Sequence, residues 1–120
     1  MRSLAKVLSF LAVISTSDAL AHGDHPPPPK VATCKAKDCL KDEVTDGVAA
    51  KIIPMLVENG KIEASWKGLK PAAAEQKEFK RGKEWVVTTK NDKAVDKAKK
   101  TLYIFVTLDG SLAGVNFTGQ

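Results

Sequence analysis

Histidine is scarce in this sequence. The 120 residues contain two, His22 and His25, and none lies beyond the proline run that follows them. Ser–His, Cys–His and H-E-x-x-H arrangements are therefore excluded from everything after that run. No glycine-rich phosphate loop is present, and nothing pairs the remaining Glu and Lys residues as acid and base, so catalysis is not expected. Aromatic residues make up 6% of the chain and form no stacking series, which argues against nucleic acid as a partner. Long apolar runs are also missing. The longest, Val7 to Ile14, falls well short of the roughly 20 residues that a membrane-spanning helix needs.

That short run has another meaning. Arg2 and Lys6 precede it, and Ala19-Leu20-Ala21 follows as a small-residue cleavage site, the pattern of a secretory signal peptide over residues 1–21. Cleavage after Ala21 leaves 17 Lys plus Arg against 13 Asp plus Glu, a net charge of about +4 with neutral histidines. The expected location is periplasmic or secreted, and the expected size is one modest domain. Cys34 and Cys39, an even count in an exported chain, predict one internal disulfide.

Residues 22–37 read as a flexible tail and linker. His22-Gly23-Asp24-His25 precedes Pro26 to Pro29, which favour polyproline II and stand the tail roughly 12 Å clear of the domain at about 3.1 Å per residue. A single domain is expected over residues 38–120. Leu40, Val44, Val48, Ile52 and Leu56 recur every four residues and predict a helix from about Cys39 to Glu58, capped by Asp38 or Asp42 and stopped at Asn59-Gly60. Pro54 removes the helical partner of the Ala50 carbonyl, so a kink or break is expected there.

After Lys61 the period becomes two. Ile62, Ala64 and Trp66 suggest a short strand or extended connector, and Pro71 to Ala74 a loop. Glu75 to Lys80, Glu84 to Lys90, Thr101 to Leu108 and Leu112 to Thr118 then read as strands. Asp109-Gly110 is the strongest hairpin signal, suited to a primed turn. The expected fold is α+β in two layers, one N-terminal helix packed on a three- or four-stranded antiparallel sheet.

Three segments, IIPMLVENGKIEASWKG (Ile52 to Gly68), KEWVVTTKN (Lys83 to Asn91) and KKTLYIFVTLDGSLAGVNFTG (Lys99 to Gly119), resemble a family of small exported proteobacterial proteins known only as a domain of unknown function. Its members commonly begin, after the signal, with a histidine-containing stretch like HGDH. The resemblance implies export and a compact α+β fold and supplies no catalytic motif. The helix-then-sheet order and the YIFVTLDG hairpin are also similar to PepSY-type domains, modules linked to peptidase regulation and extracytoplasmic binding.

Four groups of residues could carry function. Cys34 and Cys39 are read as a structural disulfide. The alternative is a reactive or metal-binding pair, favoured by Lys35, Lys37 and Lys41 but not by the C-x4-C spacing, which is neither the redox C-x-x-C nor the usual zinc spacing. In the tail, the new amino terminus with His22, Asp24 and His25 could chelate copper, or less tightly zinc, a nitrogen-rich set that suits Cu(II) best. The alternative is a solvated tail that binds nothing. Nine of the residues from Lys77 to Lys100 are cationic and four acidic. Within that stretch Lys80, Arg81, Lys83, Lys97, Lys99 and Lys100 are candidates to contact a protein, a peptide or an envelope component. Otherwise they are a solubilising set at strand edges. Tyr103 and Phe105, finally, would form a binding surface if the second sheet face is bare. The expectation is a non-catalytic binding module, with metal handling through His22 and His25 as the alternative.

Overall fold

The computed structural model describes residues 27–119. The expected signal peptide and the HGDH stretch fall on residues 1–26, outside the described residues.

The four-residue stripe forms one helical rod with a defect in its middle. Helix α1 spans Lys41–Gly47, a π-helical turn spans Val48–Ile52, and α2 spans Ile53–Glu58. Val44, Val48, Ile52 and Leu56 are all buried on one side. The first member of the stripe, Leu40, is instead the N-cap and is exposed. Neither Asp38 nor Asp42 caps the helix. Glu43, at the third helical position, reaches back to accept the Leu40 N–H at 2.8 Å, which is half of a capping box. Just before Pro54 the α-helical ladder is interrupted by the π-helical turn. The Ile53 N–H bonds to the Val48 carbonyl five residues back, and this wide turn accommodates a ring that would collide with the preceding turn. The rod ends as expected, with the Lys61 N–H on the Leu56 carbonyl and Gly60 at φ 71°.

Where an extended segment was expected, Ala64–Trp66 forms a 3₁₀ turn. Its reason is Trp66, which the turn swings into the core, 1% exposed. The neighbouring Glu63 carboxylate accepts the Val95 N–H, and Asn91 donates to Ser65 Oγ at 2.9 Å, so the turn is also tied to the segment of residues 91–100 that precedes the third strand.

The sheet is a four-stranded antiparallel meander of β1 (Ala73–Phe79), β2 (Gly82–Lys90), β3 (Thr101–Thr107) and β4 (Leu112–Asn116), in that order. Strand β1 begins two residues before the expected Glu75, because Ala73 and Ala74 pair with Thr88 and Val87. Strands β3 and β4 each stop short of the expected Leu108 and Thr118. Between them, Asp109-Gly110 belongs to a three-residue loop and not to a two-residue primed turn. The Thr107 N–H bonds to Ser111 O, the Gly110 N–H bonds to Thr107 O, and Gly110 takes φ 95°.

Trp85, Val87 and Thr89 of β2 lie beside Val106, Ile104 and Leu102 of β3, on the face that packs against the helix. Full burial of each large aliphatic side chain there contributes roughly 1.5–3 kcal/mol. The result is an α+β domain of one helical rod on one antiparallel sheet.

The packed domain starts earlier than Asp38. Val31 is fully buried and Ala32 is 7% exposed, both within the core cluster. Residues 29–32 form a strap over the β3–β4 loop. The Val31 and Ala32 N–H groups share the Gly110 carbonyl, at 2.7 and 3.2 Å, and Leu112 donates to Pro29 O at 2.9 Å. A proline-rich approach suits this place, since a strap at a sheet edge needs few N–H groups. Helix α1 closes on the strap at Gly47, where a Cβ would lie 2.0 Å from Val31 O.

Candidate functional site

Period-two alternation leaves Phe79, Glu84, Val86 and Phe105 on the sheet face opposite the helix, and no second layer covers it among the described residues. The face lacks a second layer among these residues, yet Tyr103 and Phe105 are not laid bare on it. Phe105 is 4% exposed, because the Phe79 ring packs edge-on against it with centroids 5.7 Å apart. Tyr103 is half-buried beneath Gly119. The remaining concavity comes from an absence of side chain. Gly114 pairs with Phe105 across the β3–β4 ladder, and the space a larger residue would fill stays open.

There a hollow of about 470 Å³ lies over Phe79, Phe105 and Gly114, with Lys80 and Arg81 on one rim and the β4 stretch Ala113 to Asn116 on the other. Its floor is aromatic and aliphatic, while its rim is cationic. A neighbouring hollow of about 410 Å³ lies on the other side of Arg81, between Lys83, Thr107, Leu112 and Pro28, which precedes the strap.

Arg81 separates the two. Its guanidinium makes two bonds to the Glu84 carboxylate, from Nε to Oε2 and from Nη2 to Oε1, the latter at 3.1 Å. Glu84 is 3% exposed on a face with no covering layer. Arg81 serves as its lid and its counter-ion, since a buried carboxylate without a partner is costly. The bonds from Glu84 favour the charged guanidinium and raise its already high pKa. With Arg81 engaged, Lys80 is the rim cation left to meet a ligand, and it is exposed.

The six basic candidates do not form one surface. Lys80, Arg81 and Lys83 gather at the β1–β2 turn, whereas Lys97, Lys99 and Lys100 sit in the loop at the far end of β2. The seven strand residues from Glu84 to Lys90 separate them, about 23 Å at the usual rise. Of the distal set, Lys99 Nζ lies 5.7 Å from the centre of the Phe117 ring, a cation–π contact.

Cys34 and Cys39 are joined in a disulfide whose Cα atoms are 4.9 Å apart. Beside it, the Glu43 carboxylate accepts the N–H groups of Leu40 and Lys35, and these bonds hold its pKa below the usual glutamate value. The three side chains Cys34, Cys39 and Glu43 thus meet at the start of α1. The proposed chelators His22, Asp24 and His25 lie outside the described residues.

Sequence reasoning named Lys80 and Arg81 in the basic stretch and Phe105 on the second sheet face without bringing them together, and it missed Phe79, Glu84 and Gly114. Two signals were available. Phe79 shares the parity of Lys77 and Glu75 on β1, which puts it on the open face. A glycine inside a strand is a common sign of close approach or an unfilled gap.

Compared with known proteins, the chain matches the family of unknown function DUF6488 over residues 1–120, and it belongs to that family. Neither the curated proteins nor the solved structures offer a match. No helix among the described residues is long and apolar enough to cross a membrane.

Proposed function

We propose that this chain is an exported, non-catalytic binding module, and that it holds an extended segment of a partner protein in the hollow over Phe105. The observation that carries this reading is the combination of an apolar floor with a cationic rim at the β4 edge. Phe79, Phe105 and Gly114 offer a seat for one large apolar side chain. Lys80 favours a carboxylate beside it. Strand β4 is the last strand of the sheet, and a segment lying along it can add backbone hydrogen bonds to those side-chain contacts. Export is supported by the signal-like residues 1–21 and by the disulfide, which suits an oxidising compartment. The non-catalytic reading rests on chemistry. Both cysteines are oxidised, residues 27–119 contain no histidine, and the buried carboxylate of the site is neutralised by Arg81.

The test is calorimetric titration of the full chain with short peptides alternating leucine and aspartate, beside controls alternating leucine and lysine. Binding of the acidic series should weaken in K80E and persist in K97E/K99E. Equal binding of both peptide series, or equal loss in both variants, would refute the assignment of the rim.

A further inference from the structure

We propose that reduction of the Cys34–Cys39 disulfide creates a zinc site made of the two thiolates and the Glu43 carboxylate. The inference is independent of the hollow over Phe105, which lies elsewhere on the sheet.

Sequence spacing spoke against a metal here, because C-x4-C is not a usual zinc pattern. The fold supplies what spacing lacks. The first helical turn brings Glu43 back over the loop, so that Cys34 Sγ, Cys39 Sγ and a Glu43 carboxylate oxygen lie within 4.8 Å of one another. Two thiolates and one carboxylate leave a fourth tetrahedral position for water, as in zinc sites that keep an open coordination place. Soft thiolates select zinc over magnesium or calcium.

The arrangement does not depend on the S–S bond for its shape. Before the loop, the Val31 and Ala32 N–H groups are held by Gly110 O, and at its end the Cys39 N–H bonds to Leu108 O at 2.7 Å. Within it, Lys35 and Leu40 donate to the two oxygens of Glu43, at 3.1 and 2.8 Å. Each oxygen keeps a lone pair for a metal. Gly110 completes the cradle, because a Cβ there would stand 2.9 Å from Cys39 Sγ and 3.2 Å from Cys34 Sγ. Cys34 is partly exposed, which gives a reductant a sulfur to attack, whereas Cys39 is buried.

The chemistry balances with a dithiol as reductant. A dithiol attacks the disulfide through a mixed disulfide, leaves as its own cyclic disulfide, and delivers two electrons and two protons to give Cys34 and Cys39 thiols. Zinc then binds as both thiols lose their protons to solvent, with Glu43 already ionised.

Co(II) is the probe, because thiolate ligation gives it intense near-ultraviolet charge-transfer absorption. The full chain, reduced with a phosphine and checked by circular dichroism, should take up one Co(II) with that absorption, and Zn(II) should displace it. The oxidised chain should show no such band. C34S and C39S should each lose most of it, E43Q should weaken binding while keeping the band, and H22A/H25A should bind like the parent. Three results would overturn the proposal: a reduced chain that binds no better than the oxidised one, a reduced chain that unfolds, or binding that vanishes in H22A/H25A.

Discussion

Replacing Gly47 by alanine sets two effects of known size against each other. Gly47 is the last residue of α1, in ordinary right-handed helical geometry, so helix propensity alone favours alanine by about 1 kcal/mol. Packing opposes it. The added Cβ would sit 2.0 Å from the Val31 carbonyl oxygen and 2.8 Å from its carbon, both backbone atoms, and real contacts do not fall below 3.0 Å. Helix and strap must therefore separate by about 1 Å or more. Overpacking of this kind costs roughly 1–3 kcal/mol. The shift also strains the two bonds from Val31 and Ala32 to Gly110, each worth about 1 kcal/mol. The net expectation is a destabilisation of about 2 kcal/mol, after subtracting the propensity gain. Urea unfolding followed by tryptophan fluorescence measures it, since Trp66 and Trp85 are both buried. The midpoint should fall with an unchanged slope, and amide exchange at Val31 and Ala32 should accelerate. A Gly47→Ala variant as stable as the parent, or more so, would show that the strap is not packed as described.

Thr89 is fully buried on the helix-facing side of β2 and its hydroxyl has no partner among the described residues, so Thr89→Val should raise stability by about 1 kcal/mol in the same melt. Gly110→Ala should do the reverse, and more strongly than Gly47→Ala. It combines a φ of 95° with a Cβ 2.5 Å from Ala32 O, and thermal unfolding should show a large drop. Asp109 accepts a hydrogen bond from the Thr107 hydroxyl and is also attracted by Lys30, and both lower its pKa from the usual 3.8. A depressed carboxylate pKa stabilises the fold above the unfolded value and ceases to do so as pH falls through the folded one. Asp109→Asn should therefore flatten the stability profile below about pH 4 and change its shape little above it. Gly114→Val should leave the fold intact, because its Cβ meets Phe105 at an ordinary 3.9 Å, and should fill the hollow. Its melting temperature should match or exceed the parent's while acidic-peptide binding is lost.

Elements with strong periodicity were legible in the sequence. The stripe from Val44 to Leu56 and the alternation in Leu102, Ile104 and Val106 each report one buried face, and both faces are buried as read. The disulfide followed from an even count of cysteines in a chain whose first residues read as a signal peptide. What stayed hidden depends on contacts distant along the sequence. Val31 and Ala32 are two apolar residues in a polar stretch, without period, and only the Gly110 carbonyl explains why they are core. Trp66 matched an alternating pattern but obeyed a stronger demand, burial through a turn. Pro54 announced a helix defect, whereas the wide turn that resolves it is a property of the backbone ladder. Among the basic residues, charge count could not distinguish Arg81, which is bound to Glu84, from Lys80 and Lys83, which are not held in this way. The burial of Glu84 could not be read from the sequence, because its lid is a neighbouring side chain and not a second layer.

The central claim, that the hollow over Phe105 is where a partner segment binds, is tested most directly by amide chemical-shift mapping. The nitrogen-labelled full chain would be titrated with the leucine–aspartate peptide, and Gly114→Val run in parallel. The account predicts saturable shifts at Phe79, Lys80, Arg81, Gly114 and Val115, with little change around Lys97 to Lys100, and no saturable shifts in the variant. Shifts centred on the far loop or the helix, or a Gly114→Val variant that responds like the parent, would contradict it.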